Sequence, residues 1–219
     1  MASVMSAPAA FVMAKLMIPE SEESKTSGDV TQNFERSTIN ILDAATTGAG
    51  DGLRLAANVG AMLLALIALV SGVDFVLGWF GELSVIKPMV AGCGMDTLSL
   101  KGILGLIFSP LAWTMGVAVE DIRAVGSLLG EKIVLTEFIA YKSLGANLYS
   151  DNPMQERSGI IATYALCGFA NFGSIAIQLG GIGGIAPDRR KDLAKLGVKA
   201  MIGGAMASFM TATIAGIVL

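Results

Sequence analysis

Apolar and polar positions fall in long blocks along this chain. Ser158 to Pro187 carries no charged residue over thirty positions, enough to cross a bilayer as a helix. Its centre, Cys167-Gly168-Phe169-Ala170-Asn171-Phe172-Gly173-Ser174, is poor material for an unbroken helix, because two glycines bracket an amide and a hydroxyl follows. An unpaired polar group in hydrocarbon costs roughly several kcal/mol. The pattern therefore predicts an interrupted helix whose polar centre meets a partner, a solute or water.

The other blocks predict further spans. Ala2 to Ile18 is apolar apart from Lys15 and reads as the tail of a membrane helix, with Lys15 reaching toward headgroups. Pro19 to Thr31 is an acidic, solvated loop. Asn33 to Ala45 places Phe34, Ile41, Leu42 and Ala45 on one helical face, which predicts an amphipathic helix lying at the interface. Leu55 to Val73 is a spanning segment closed by Arg54 and Asp74, with Trp79 and Phe80 at the level of an aromatic belt. Gly102 to Val119 is uncharged but holds Pro110 in its middle, which predicts a break there. Ala200 to Leu219 is a final span. Its Ala200, Gly204, Ser208, Ala212 and Gly216 form a small-residue stripe suited to close helix approach. Between the last two apolar blocks lies a basic link, Arg189, Arg190, Lys191, Lys195 and Lys199, of the kind retained on the cytoplasmic side.

Glu120 to Leu144 does not fit a lipid-facing helix. Asp121, Arg123, Glu131, Lys132 and Glu137 are too many charges, while Gly126 and Gly130 permit a turn. The pattern suits two half-helices forming a re-entrant hairpin with Gly130 near its tip. Irregular backbone at that depth survives only where protein or a water-filled cavity covers it. Two interrupted segments in one chain point to a transporter's binding site.

Composition narrows the classes. Of 219 residues, 53% are hydrophobic and 15% charged, against about 25% charged in soluble domains; mean hydropathy is +0.67. The fold class is all-α, a polytopic membrane protein. A net charge of −3 argues against nucleic-acid partners. The absence of histidine excludes His-based triads and the usual zinc clusters. Cys93 and Cys167 read as packing residues rather than a disulfide. Met1 to Ile18 lacks the basic start and small-residue cleavage site of a signal peptide.

Thr163-Tyr164-Ala165-Leu166-Cys167-Gly168-Phe169-Ala170-Asn171, continuing through Ile177-Gln178-Leu179-Gly180-Gly181, resembles the substrate-binding helix of the concentrative nucleoside transporters. The resemblance recurs in Gly126-Ser127-Leu128-Leu129-Gly130-Glu131-Lys132, in Glu137-Phe138-Ile139-Ala140-Tyr141, in Ser6-Ala7-Pro8-Ala9-Ala10 and in Met210-Thr211-Ala212-Thr213-Ile214-Ala215-Gly216. It covers essentially the whole chain, residues 1–219, and about the C-terminal half of the family's pattern. It implies a cation-coupled nucleoside symporter in the plasma membrane, or the inner membrane of a bacterium. Membrane lipids and two further copies in a homotrimer are the implied partners. The segment around Pro110 becomes a bent interfacial helix. The N-terminal half of the pattern, with a first re-entrant hairpin, the nucleobase contacts and most of the Na+ or H+ coupling site, is not in this sequence. The chain alone is therefore expected not to perform coupled transport. No cofactor beyond the coupling ion is implied.

Four residues carry the candidate chemistry. Glu137 stands among Val134, Leu135, Phe138 and Ile139. An ionised carboxylate is acceptor-only and can take two O–H donors, such as vicinal ribose hydroxyls. Capping a half-helix or pairing with Lys132 are its structural alternatives. Asn171 and Ser174 are three apart and share a helical face, for ribose or for interhelical hydrogen bonds. Phe169 matches an aromatic position lining the family's pocket, with ordinary packing as the alternative. The resemblance carries Glu137, Asn171, Ser174 and Phe169 over as ribose-site residues. Glu131 and Lys132 read as a local ion pair or gate element without a ligand role. Thr136 and Gly173 depart from the family's asparagine and serine at those positions, which bears on selectivity. A membrane gate or recognition module without transport activity is the principal rival. An intramembrane enzyme using Glu131 or Glu137 lacks a nucleophile–base pair.

Overall fold

The computed structural model describes residues 1–21, 38–93, 95 and 97–219, apart from the side chains of 62, 63, 66, 184, 185 and 187. Among the described residues there is no strand. The α-helices are α1 (Ala2–Met17), α2 (Ile41–Gly81), α3 (Lys87–Gly92), α4 (Leu100–Thr114), α5 (Ile122–Val134), α6 (Glu137–Leu148), α7 (Glu156–Leu166), α8 (Phe172–Ile185) and α9 (Arg190–Val218). The all-helical expectation holds. Among the described residues, α9 is long and apolar enough by itself to cross a membrane.

The core is the meeting of α4, α5, α6, α7 and α9. Ala112 and Met115, Val125, Leu128 and Leu129, Ala140 and Leu144, Ile161, Ala165 and Leu166, and Phe209 and Ala212 form one buried cluster. Small residues let these helices close on one another. Gly216 faces the Met115 carbonyl, which a Cβ would approach to 2.5 Å. Gly204 lies against Ala170, and Ser208 donates to the Cys167 carbonyl at 3.3 Å. The predicted small-residue stripe thus packs along the interrupted segment, from Gly204 to Gly216. The tie is completed by Arg157 at the start of α7, whose guanidinium donates to the Gly216 carbonyl at 2.6 Å. Helix α1 covers the outer side of α9.

Several boundaries depart from expectation. Residues 22–37 lie outside the description, and with them most of the predicted acidic loop and the start of the predicted interfacial helix. The rest of that interfacial helix, from Ile41, is the first turn of α2. Asn40 caps it, its side chain accepting from the Asp43 N–H at 2.8 Å. The expected span Leu55–Val73 lies wholly within α2, a 41-residue helix. Asp74 does not close a span; its carboxylate accepts the Leu100 N–H at 2.6 Å at the N-terminus of α4, where an anion suits the helix dipole. Pro110 does not break α4, which runs through it to Thr114. Proline removes one donor only, which leaves the Leu106 carbonyl without its helical partner while the helix continues on either side. The basic link is not a loop, for α9 begins at Arg190 and carries Lys191, Lys195 and Lys199 on its first turns.

Gly105, Gly126 and Gly130 line the α4–α5 seam. A Cβ on Gly126 would stand 2.5 Å from the Gly105 carbonyl oxygen and 3.1 Å from the Ser109 nitrogen. Both are backbone atoms, so the helices would have to separate. Gly126→Ala is expected to destabilise by about 1–3 kcal/mol, read as a fall in the thermal midpoint of the purified protein. Gly72→Ala, where a Cβ meets nothing within 4 Å, is the control and is expected to hold or raise the midpoint slightly, by up to about 1 kcal/mol.

Candidate functional site

The break between α5 and α6 is built by local chemistry. Helix α5 ends at Val134, and Leu135 leaves the helical region with φ −98° and ψ −99°. Thr136 is extended, and its hydroxyl accepts the Ile139 N–H at 3.5 Å, which caps α6. Glu137 is therefore the first residue of α6, where a carboxylate complements the helix N-terminus. The turn sits at Leu135–Thr136 and not at Gly130. Gly130 lies inside α5, where a Cβ would stand 2.3 Å from that of Leu104 on α4. The glycines of this stretch serve packing, and a threonine makes the turn.

The second break runs from Cys167 to Asn171, between α7 and α8. A helix end leaves its last four carbonyls without helical donors, here those of Thr163, Tyr164, Ala165 and Leu166. All four are satisfied. The Cys167 N–H donates to Tyr164 at 3.2 Å and the Gly168 N–H to Leu166 at 2.8 Å. The Lys132 ammonium donates to Ala165 at 2.8 Å and the Tyr141 hydroxyl to Thr163 at 2.8 Å. Gly168 is required by close approach, since a Cβ there would stand 2.4 Å from the Ser208 hydroxyl. Cys167 and Cys93 are both free thiols.

Asn171 then caps α8. Its side-chain oxygen accepts the Ser174 N–H at 2.7 Å. The Ser174 hydroxyl accepts the Asn171 N–H at 3.2 Å and donates to the Asn171 carbonyl at 2.6 Å. This capping box fixes the amide plane of Asn171 and leaves its NH2 group pointing outward. That group donates to Glu137 Oε2 at 2.9 Å. The N-termini of α6 and α8 thus converge on one carboxylate–amide pair, formed by residues 34 apart in sequence. Asn171 is buried and Glu137 half-buried, so Glu137 keeps an accessible face.

Glu137, Asn171 and Ser174 are therefore brought together, with differences in what each side chain does. Glu137 neither caps a helix nor forms a salt bridge with Lys132; it takes the Asn171 amide. Ser174 is 5% exposed and its hydroxyl already serves the capping box, which leaves it one free lone pair. Phe169 is 76% exposed in this chain. Phe138 and Phe172, the residues that follow Glu137 and Asn171 in the chain, are exposed as well. Glu131 and Lys132 do not pair with each other, because successive residues leave a helix on different sides. Glu131 pairs with Lys101 at 2.8 Å, while Lys132 turns inward, is fully buried and stands 5.4 Å over the Phe209 ring. Sequence reasoning gave Lys132 and Tyr141 no role at the site. For Tyr141 the signal was its spacing, four residues after Glu137 and thus on the same face of α6.

A half-open carboxylate, steadied by an amide where two helix N-termini meet, can accept hydroxyl donors from a solute. Known proteins resemble this chain over nearly its whole length. Residues 1–216 match the family model described as Na+ dependent nucleoside transporter C-terminus. YutK, an uncharacterized transporter of Bacillus subtilis, is 43% identical over 98% of this chain and 50% of its own length. Sodium/nucleoside cotransporter 1 of Rattus norvegicus is 39% identical over 99% of this chain and 34% of its own length. The solved structure of CNTnw in an inward-facing substrate-bound state superposes with a TM-score of 0.77 at 40% identity, covering 99% of this chain and 49% of that one. The chain spans about half the length of the bacterial relative and about a third of the mammalian one. These relatives are membrane transporters and not enzymes. The chain belongs to the Na+ dependent nucleoside transporter family, and its residues 1–216 match the family's C-terminal region.

Proposed function

We propose that this chain carries the ribose-binding part of a cation-coupled nucleoside symporter. The observation that carries the reading is the 2.9 Å bond between Asn171 and Glu137 at the facing ends of two interrupted segments. Glu137 accepts the vicinal 2′- and 3′-hydroxyls of the sugar, and Asn171 holds the carboxylate in place. Phe169 contributes an apolar wall. Ser174 acts through Asn171 as the other half of its capping box.

The α5–α6 pair is the re-entrant hairpin of this reading, and its packing against α4 and α7 supports that assignment. The names of the family and of the rat cotransporter support sodium over a proton as the coupling ion. In the symporter, the loaded and empty states exchange access across the membrane, and the bound cation biases that balance by its differential affinity. Hairpin and interrupted segment move together as the unit that holds the sugar, an elevator-like step. The complete protein is a multi-pass protein of the plasma membrane, or of a bacterial inner membrane. Helix α2 makes few contacts with the rest of the chain and exposes Leu64, Leu69, Phe75 and Trp79. Those features suit a helix that meets lipid and the other copies of a homotrimer.

Uptake of radiolabelled uridine by cells expressing the complete transporter tests the reading. Glu137→Gln is expected to raise KM about 10- to 100-fold, since a hydrogen bond to a charged group contributes about 1.5–3 kcal/mol. An unchanged KM would remove Glu137 from the site. Asn171→Ala is expected to act more strongly than Ser174→Ala, because it loses both the cap and the bond to Glu137. Ser174→Ala keeps the bond from its own N–H to the Asn171 side chain and loses only the reciprocal hydroxyl half of the capping box, about 0.5–1.5 kcal/mol of stability. Replacing external Na+ with choline at constant pH is expected to abolish accumulation; accumulation that instead follows the pH gradient would assign coupling to H+.

A further inference from the structure

We infer that Lys132 and Tyr141 are positioning residues that set how selectively Glu137 and Asn171 read the sugar, an inference that rests on the nucleoside-binding reading above. Neither side chain reaches Glu137 or Asn171 through a hydrogen bond. Both act on the carbonyl end of α7. Two of its four open carbonyls are closed by its own following backbone, and the other two by the α5–α6 hairpin.

The two side chains come from opposite sides of the hairpin's break. Lys132 stands in the last turn of α5, three residues before Leu135. Tyr141 stands one turn into α6, four residues after Glu137. The hairpin is thus pinned to the interrupted segment at three places. Lys132 joins α5 to α7, Tyr141 joins α6 to α7, and Glu137 joins α6 to α8. Without Tyr141, side-chain hydrogen bonding would hold α6 to that segment at Glu137 alone, and the helix could rock about that point. A carboxylate can discriminate a diol from a single hydroxyl only while both of its oxygens hold their positions, which demands control to about half an ångström.

Burial sets the two residues apart. Lys132 is wholly enclosed, between the α7 carbonyl and the Phe209 ring of α9. A buried cation without its acceptor is costly, so this bond is also part of the fold. Tyr141 is 36% exposed, and removing its hydroxyl alone leaves the ring where it is. Thr163 would then lose its side-chain donor but remain within reach of water. Tyr141→Phe therefore isolates positioning from folding.

The experiment is competition of uridine, 2′-deoxyuridine and 3′-deoxyuridine for uptake in cells expressing the complete transporter, compared between wild type, Tyr141→Phe, Glu137→Gln and the double variant. Wild type is expected to prefer uridine to 3′-deoxyuridine. Tyr141→Phe is expected to shrink that preference about five-fold, the size of one neutral hydrogen bond, at unchanged surface expression and thermal midpoint. Glu137→Gln is expected to abolish the preference, and adding Tyr141→Phe to it to change the ratio no further, as two residues acting through one group require. Lys132→Met is expected to shrink the preference as well, with a lower thermal midpoint. A Tyr141→Phe protein that keeps the wild-type preference, whatever happens to its overall rate, would overturn the inference while leaving the sugar site standing. A wild-type protein that takes all three nucleosides equally would instead overturn the ribose reading itself.

Discussion

The structure depends on one constraint: a helix broken inside a membrane must find partners for the backbone groups that the break exposes. Water serves them only along the path by which a solute arrives, and elsewhere an unpaired group costs roughly several kcal/mol. Helix α7 stops at Leu166, and its four open carbonyls are all met. Asn171 and Ser174 restart the chain as α8 through a reciprocal cap. The break is thus a closed arrangement of hydrogen bonds. What it leaves over is a single outward amide, and that amide is the group that holds Glu137.

In the proposed reading, binding site and architecture are the same object, because the polar groups that stabilise the breaks also aim Glu137 and Asn171. Two helix N-termini converge there, so the local field favours an ionised carboxylate. The opposite, carbonyl end of α7 receives an ammonium, the complementary charge for a helix C-terminus. Positive and negative ends of the half-helices are each matched by a side chain from the neighbouring segment, and the two segments are locked as one body.

Close approach is what allows the locking. In lipid, apolar side chains gain little by leaving one apolar surroundings for another, so helices are held by packing and hydrogen bonds. The glycines act accordingly. Gly126, Gly168 and Gly216 stand where a Cβ would run into a carbonyl or a hydroxyl of a facing segment. The stripe on α9 lets Ser208 reach the Cys167 carbonyl and Gly216 accept from Arg157. On α9 and at Gly168 the small residues thereby permit polar contacts that larger ones would keep out of range.

By itself the sequence determined the helical class, the interrupted segment around Cys167–Ser174, the packing stripe of α9 and the pairing of Glu137 with that break as candidate chemistry. These are legible because hydrophobic runs, stray polar residues and small-residue spacing are local properties, and because a long stretch of the chain resembles a known family. The resemblance also carried Asn171 and Ser174, although it could not reveal that Ser174 is spent on capping. Only the tertiary structure decided where the hairpin turns, that α4 continues through Pro110, that Asp74 serves α4, and that α9 begins among the basic residues. Only it could show Lys132 turned inward to Ala165 and Tyr141 set on Thr163. A lysine next to a glutamate reads as an ion pair along the chain, yet the two leave the helix on different sides. Which carbonyl an ammonium meets depends on a helix more than thirty residues away, and no local pattern of residues encodes that distance.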